Sequence, residues 1–172
     1  RFAQKNESLR LLNEQEVSLK SDDLVIADGS GAIALAGIMG GQSTSVDEAS
    51  TAVFLESAYF TPTVIAGKAR RLGLSTDSSY RFERGVDPRG QVMAIERITA
   101  LIMDMAGGEA GPLIHAVSEA RVPPQNEVSL RHARLNRVLG VTLDESLVSQ
   151  ILENLRMSPI LKEGVWKVKA PS

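Results

Sequence analysis

The chain has 172 residues, a formal net charge of −2 at pH 7, no cysteine and two histidines, and 43% of its residues are hydrophobic. This composition is typical of a globular protein with one ordinary domain or one domain and a smaller second one. It excludes disulfides, thiolate metal sites and a cysteine nucleophile. No apolar run approaches the ~20 residues that cross a bilayer, so we expect a cytoplasmic protein with no membrane partner. The start on "RFAQ" without a methionine leads us to expect a piece of a longer protein.

The first third of the sequence is typical of strands and turns. Two apolar runs, 23–28 and 31–38, flank the stretch Asp28-Gly29-Ser30-Gly31 and predict a hairpin with a glycine-bearing turn. The polar loop 39–50 follows with the paired glycines Gly40 and Gly41, for which a tight turn is favoured over close approach to a ligand. The run "TAVFLES", 51–57, then predicts a third strand.

Two helices are predicted next, because Thr61-Pro62 and Asp87-Pro88 are helix-start signals. The first helix should end at Gly73. Apolar residues at helical spacing between Met93 and Met105 predict a long buried helix that ends at Gly107-Gly108.

A linker at 119–127, which contains two prolines, separates a first unit, 1–118, from a second one, 128–172. In the second unit we predict a helix at 130–139 and another at 143–157, opened by a capping box between Thr142 and Glu145. Two short strands should pair around a turn at Glu163-Gly164.

Glu56 is unusual because it lies in the apolar run "FLESAYF". An unpaired carboxylate in an apolar site is unfavourable, so two interpretations stay open. It forms an ion pair with a nearby arginine, or it is held in a pocket to accept a hydrogen bond from a ligand. The hydroxyl-rich stretch 73–88, with Thr76 and Ser78, equally fits helix caps or the wall of a polar pocket.

Two groups of basic residues have a bland and a functional interpretation. The excess of arginine between 68 and 89 predicts an ion-paired surface, with contact to a phosphate backbone as the alternative. Arg131, Arg134 and Arg137 occur in a stretch without acidic residues, which favours a solvent-facing helix over nucleic-acid contact.

Three stretches resemble one known family: "IALAGIMGG" (33–41), "FLESAYFTPTVIAGKARRLGLSTDSSYRFERGVDP" (54–88) and "GGEAGP" (107–112). In order and spacing they are similar, from end to end of the chain, to the bacterial phenylalanyl-tRNA synthetase beta subunit. The resemblance implies an α+β fold. Residues 1–118 would be the later part of a tRNA-editing domain, with a mixed barrel-like or sandwiched sheet and flanking helices. Residues 128–172 would be a small helical, winged-helix-like module with a β-hairpin that binds nucleic acid.

The function implied by this resemblance is post-transfer editing, the hydrolysis of tyrosine wrongly esterified to tRNA(Phe). Glu56 then corresponds to the pocket glutamate that recognises the para-hydroxyl of tyrosine. Thr76 and Ser78 correspond to other pocket residues, and Gly40 to a glycine that gives the amino acid room. No catalytic side chain is assigned, and a water held by the backbone near Gly40 and Gly41 is a hypothesis.

The resemblance also implies partners for the parent enzyme, an aminoacyl-tRNA synthetase. These are tRNA(Phe) and an alpha subunit, in an alpha2-beta2 heterotetramer that joins phenylalanine to tRNA with ATP and Mg²⁺. We expect no cofactor or metal in this piece, and no activity from it in isolation. The alternative is a non-catalytic structural or tRNA-docking module, in which Glu56 is paired with an arginine and no cavity lies beside Gly40 and Thr76.

Overall fold

Strands and helices alternate in short elements along this protein, whose computed structural model describes residues 1–172. The chain divides into two compact units, Arg1–His115 and Ala116–Ser172. Three small antiparallel sheets and six α-helices confirm the α+β class. The sheets have two, three and three strands, and none of them closes into a barrel. No helix is both long and apolar enough to cross a membrane.

The first unit contains two of the sheets. β1 (Ser8–Arg10) pairs with β2 (Glu16–Ser18), while β3 (Val25–Ala27), β4 (Ala32–Leu35) and β5 (Met39–Gly40) form a meander in that order. The predicted hairpin is therefore confirmed as β3 and β4. Its turn is held by Asp28, whose Oδ1 accepts hydrogen bonds from the backbone N–H groups of Ser30 (2.7 Å) and Gly31 (3.1 Å).

The core of the first unit follows from strand alternation. Leu9, Val17 and Leu35 point to one interior, where they are buried together with residues of two short helices. These are α1 (Pro62–Ile65) and α2 (Lys68–Arg71). Sequence predicted one helix here up to Gly73, and that is wrong, because Gly67 adopts φ 75° and separates α1 from α2.

Two more helices complete the unit, α3 (Asp77–Phe82) and α4 (Gln91–Ala106). The long helix and its end at Gly107 are confirmed, but its predicted burial is wrong. None of its residues is buried, and Met93 and Met105 are 71% and 76% exposed. Periodicity identifies an apolar helix face, whereas burial depends on whether another element covers that face.

The strand predicted at 51–57 is also wrong. Residues 51–61 form neither strand nor helix, and Phe54 is 94% exposed. Apolar alternation predicts a strand only where a neighbouring strand offers backbone partners. None pairs with this segment, which instead crosses the surface of the unit.

The second unit combines β6 (Glu127–Arg131), α5 (His132–Leu139), α6 (Glu145–Asn154), β7 (Ile160–Lys162) and β8 (Val165–Lys169). Its sheet has the order β6-β8-β7. The hairpin of β7 and β8 is confirmed, and positive φ at Glu163 (48°) and Gly164 (70°) suits a two-residue turn.

Three details of the second unit differ from expectation. The helix predicted from residue 130 begins at His132, because residues 127–131 pair with β8 as a strand. The linker predicted at 119–127 is shortened as well, because its last residue, Glu127, belongs to that strand. The capping box at Thr142 is wrong, since α6 begins after Asp144 without a side-chain cap. The core of this unit is formed by Trp166, with no exposed surface, and by Val148, Leu152 and Val168.

Candidate functional site

A cavity of about 250 Å³ lies where the turn between β4 and β5, the irregular segment around residues 56–60 and helix α3 meet. Most of its wall is apolar. Its lining residues are Ile26, Ala34, Leu35, Ala36, Gly37, Ile38, Met39, Gly40, Glu56, Ala58, Phe60, Ser78 and Phe82.

Two phenylalanines form one side of this cavity. The rings of Phe60 and Phe82 lie 5.2 Å apart between centroids, at an interplanar angle of 51°, which is a favourable tilted arrangement. Gly37, with φ 67°, lies against them, and a Cβ there would be 3.1 Å from atoms of both side chains. Glycine therefore allows the chain to turn beneath the two rings.

Glu56 is the only ionisable side chain among the lining residues. The residue is exposed, while partial burial against the cavity walls raises the pKa of its carboxyl above the ordinary value of 4.5. The side chain makes no hydrogen bond or ion pair with any of residues 1–172, and the arginines that do form ion pairs form them with other carboxylates. Arg71 binds Asp23, and Arg84 binds Glu83. The ion-pair interpretation of Glu56 is therefore contradicted.

Thr76 does not line the cavity, and its hydroxyl has two local partners. Oγ1 donates to the carbonyl oxygen of Ile38 (2.8 Å) and accepts from the backbone N–H of Ser79 (3.0 Å), which caps α3. Ile38 lines the cavity, so the hydrogen bond from Thr76 helps to hold this part of the cavity wall in position, although Thr76 itself lies outside the cavity. Ser78 does line the cavity, together with Phe82 one turn along the same helix.

The two glycines after β4 have different roles. Gly40 lines the cavity, and a Cβ there would meet only the flexible end of Leu12, at 3.1 Å. A Cβ on Gly41 would lie 2.4 Å from the carbonyl oxygen of Ile33, which is too close for any side chain. The N–H of Gly41 donates to that same oxygen at 2.8 Å, so this donor is already used and cannot hold a water molecule.

Phe60 and Phe82 were not recognised from the sequence as site residues. Phe60 ends the same run, "FLESAYF", that contains Glu56. The spacing of four residues between Ser78 and Phe82 places both on one face of α3. This spacing is the sequence feature that could have identified Phe82 as a second residue of the cavity.

A second cavity, of about 270 Å³, lies within the second unit and is lined by Arg131, Ala133, Arg134 and Arg137. The structure thus brings together the three arginines singled out from the sequence. Arg131 contributes from the end of β6 rather than from the helix. No group of three or more His, Cys, Asp or Glu side chains in the chain could hold a metal ion.

Comparison with known proteins adds the family. Residues 1–107 match the B3/4 domain. Over its whole length the chain is 54% identical to the phenylalanine–tRNA ligase beta subunit of Methylococcus capsulatus, 49% identical to that of Idiomarina loihiensis and 48% identical to that of Nitrosococcus oceani. It spans 22% of the length of each of these relatives. The resemblance noted in the sequence is thereby confirmed: the chain corresponds to a segment of such beta subunits, and it belongs to the B3/4 domain family.

Proposed function

We propose that the cavity around Glu56 is the amino-acid pocket of an editing site, which hydrolyses tyrosine wrongly esterified to tRNA(Phe). The parent would be a cytoplasmic phenylalanine–tRNA ligase in which this beta subunit works with an alpha subunit in an alpha2-beta2 heterotetramer. ATP and Mg²⁺ would serve the charging reaction of that parent.

The observation that carries the proposal is an unpaired carboxylate in a largely apolar cavity. Tyrosine differs from phenylalanine by one hydroxyl, and an apolar pocket separates such pairs weakly. A site that offers an acceptor to the hydroxyl discriminates far better. The carboxylate of Glu56, which has no partner within the chain, offers that acceptor.

The remaining walls suit an aromatic side chain. The cavity, at about 250 Å³, is smaller than the ~300–1,000 Å³ pockets that accommodate drug-sized ligands. A single amino-acid side chain is a better match to this size. Phe60 and Phe82 provide aromatic surface for the ring of tyrosine, and Gly40 leaves room beside it.

In the reaction, water adds to the ester carbonyl carbon and the bond to the terminal ribose oxygen of the tRNA breaks. Free tyrosine and uncharged tRNA result. Glu56 binds the far end of the side chain in this scheme, so it recognises the substrate. No other lining residue can take up a proton, and we assign no general base. Thr76 acts as a positioning residue through Ile38.

The pKa of Glu56 gives the site a pH dependence. An ionised carboxylate is the stronger acceptor, and protonation removes that advantage. Because burial raises this pKa above 4.5, the preference for tyrosine should decline on acidification at a higher pH than an ordinary glutamate would give.

The test uses the parent ligase that carries this segment, with Glu56→Ala. Phenylalanine charging should be unchanged, while single-turnover hydrolysis of preformed Tyr-tRNA(Phe) slows by about tenfold or more, because a bond to a charged acceptor contributes ~1.5–3 kcal/mol. The matched control is Glu48→Ala, at an exposed carboxylate outside the cavity. Unchanged hydrolysis in the Glu56→Ala enzyme would contradict the proposal.

A further inference from the structure

The backbone of residues 51–60 in the first unit has no hydrogen-bond partner in the rest of the backbone. The segment lies in neither a strand nor a helix, and none of its N–H or C=O groups bonds to another backbone group. The loop just before it is different, because Ser45 N–H donates to the Gln42 carbonyl at 3.2 Å and Ser50 N–H to the Asp47 carbonyl at 3.1 Å. Backbone polar groups in folded proteins are nearly always paired or hydrated, so this segment has donors and acceptors free for a partner.

The same segment exposes apolar side chains. Phe54 is 94% exposed and Val53 is 50% exposed, while Leu55 is half-buried. The run "TAVFLES", 51–57, is rich in the β-branched and aromatic residues that favour strands. Its side chains and its free backbone groups therefore suit the same partner, a neighbouring strand.

That neighbour has no source among the strands of the first unit. These strands pair with one another in two small sheets, and residues 51–57 join neither sheet. The segment lies within the part of the chain that matches the B3/4 domain, residues 1–107. The chain covers 22% of the length of its relatives, so most of such a beta subunit lies outside these residues and can supply the missing strand.

We propose that residues 51–57 take up a strand from the part of the beta subunit outside these 172 residues. The added strand pairs with the free N–H and C=O groups by the ordinary ladder of β-strand addition. Alternate side chains of a strand share a face, so Phe54 and Glu56 then point to the same side. The layer that covers Phe54 thus also lies over the Glu56 carboxylate and closes the cavity around it. This inference stands on backbone hydrogen bonding and does not depend on the assignment of the cavity to editing.

The test is hydrogen–deuterium exchange of single amides in the parent ligase. At least alternate amides of residues 53–57 should exchange more slowly than in an unstructured chain, by a factor on the order of 100. The hairpin of β3 and β4 is the internal reference for protected amides. Exchange of residues 53–57 at the rate of an unstructured chain would overturn the proposal.

The 172-residue chain alone provides the comparison. Its amides at 53–57 should exchange at the unprotected rate, while those of the β3–β4 hairpin stay protected. Protection of 53–57 in the chain alone would overturn the proposal. If that protection increased with protein concentration, the partner would be a second copy of the chain.

Side-chain variants of the parent ligase test the apolar contact separately. Phe54→Ser should lower the protection of residues 53–57 by about tenfold or more, because the covered ring no longer contributes to burial. The matched control is Val46→Ser, at an apolar side chain that is 71% exposed in the preceding loop, and it should leave this protection unchanged. Equal effects of the two substitutions would contradict the proposal. Glu56→Ala should also leave the protection unchanged, since the backbone forms the ladder, so the failure of the editing proposal and the failure of this one are distinguishable.

Discussion

The buried carboxylate of Asp23 is expected to make Arg71 the most stabilising arginine of the first unit. The side chain of Asp23 is 1% exposed and that of Arg71 is 27% exposed. Arg71 Nη2 donates to both carboxylate oxygens, with a distance of 2.6 Å to Oδ2. Apart from Arg71, the carboxylate accepts only from the backbone N–H of Lys20, at 2.8 Å.

Arg71→Met would leave this charge buried with a single donor. Removing one partner of a buried pair costs ~3–5 kcal/mol. We expect the lower end, about 3 kcal/mol, because the guanidinium is partly open to water. The assay is urea unfolding followed by far-ultraviolet circular dichroism, with Trp166 fluorescence reporting separately on the second unit.

Arg70→Met is the matched control, since Arg70 is the preceding residue of the same helix, is exposed and has no ion pair. Its free energy of unfolding should change by less than about 0.5 kcal/mol. Adding Asp23→Asn to Arg71→Met should recover part of the lost stability, because the unpaired charge is then gone. Equal effects of Arg71→Met and Arg70→Met would refute the reasoning.

Two further predictions concern the glycines and the acid limb of stability. Gly41→Ala should destabilise the first unit by ~1–3 kcal/mol, because the new Cβ would meet the Ile33 carbonyl. Gly40→Ala should be tolerated, because the Leu12 side chain that its Cβ would meet can move. Equal unfolding midpoints of the two variants would contradict this prediction. Hydrogen bonds from Arg1, above all, lower the pKa of Glu7 from 4.5 to about 2. A carboxyl whose pKa is lower in the folded than in the unfolded protein stabilises the fold at any pH above the unfolded-state pKa. The unmodified protein should therefore be more stable than the Glu7→Gln variant, by the full difference above pH 4.5 and by a difference that vanishes toward pH 2. The measurement is the free energy of unfolding of both proteins between pH 2 and pH 4.5 and above, with Glu48→Gln as the control variant. A stability difference between the unmodified protein and Glu7→Gln that does not change with pH would contradict this prediction.

The sequence was most informative where local chemistry decides the structure. The turn at Asp28-Gly29-Ser30-Gly31 folds as predicted because Asp28 satisfies the turn's own N–H groups. Elements that depend on a distant partner were predicted less well. Residues 51–57 alternate like a strand but have none to pair with, and α4 has an apolar face that the chain does not cover.

The same distinction applies to the candidate site. A carboxylate in an apolar run drew attention to Glu56, but only the fold shows that it borders a cavity and lacks an arginine partner. Gly40 and Gly41 are equivalent in sequence, and their surroundings separate them. The role of Thr76 depends on a hydrogen bond to Ile38, thirty-eight residues away in the chain, which local spacing does not reveal.

The most direct test of the central claim is the affinity of the parent subunit for two non-hydrolysable, amide-linked analogues of the charged tRNA end, one carrying tyrosine and the other phenylalanine. A hydrogen bond of ~1.5–3 kcal/mol to Glu56 corresponds to tighter binding of the tyrosine analogue by about 10- to 140-fold. Glu56→Leu should remove that difference. Equal affinities in the unmodified subunit, or a preference that persists in Glu56→Leu, would contradict the assignment of Glu56 as the acceptor for the tyrosine hydroxyl.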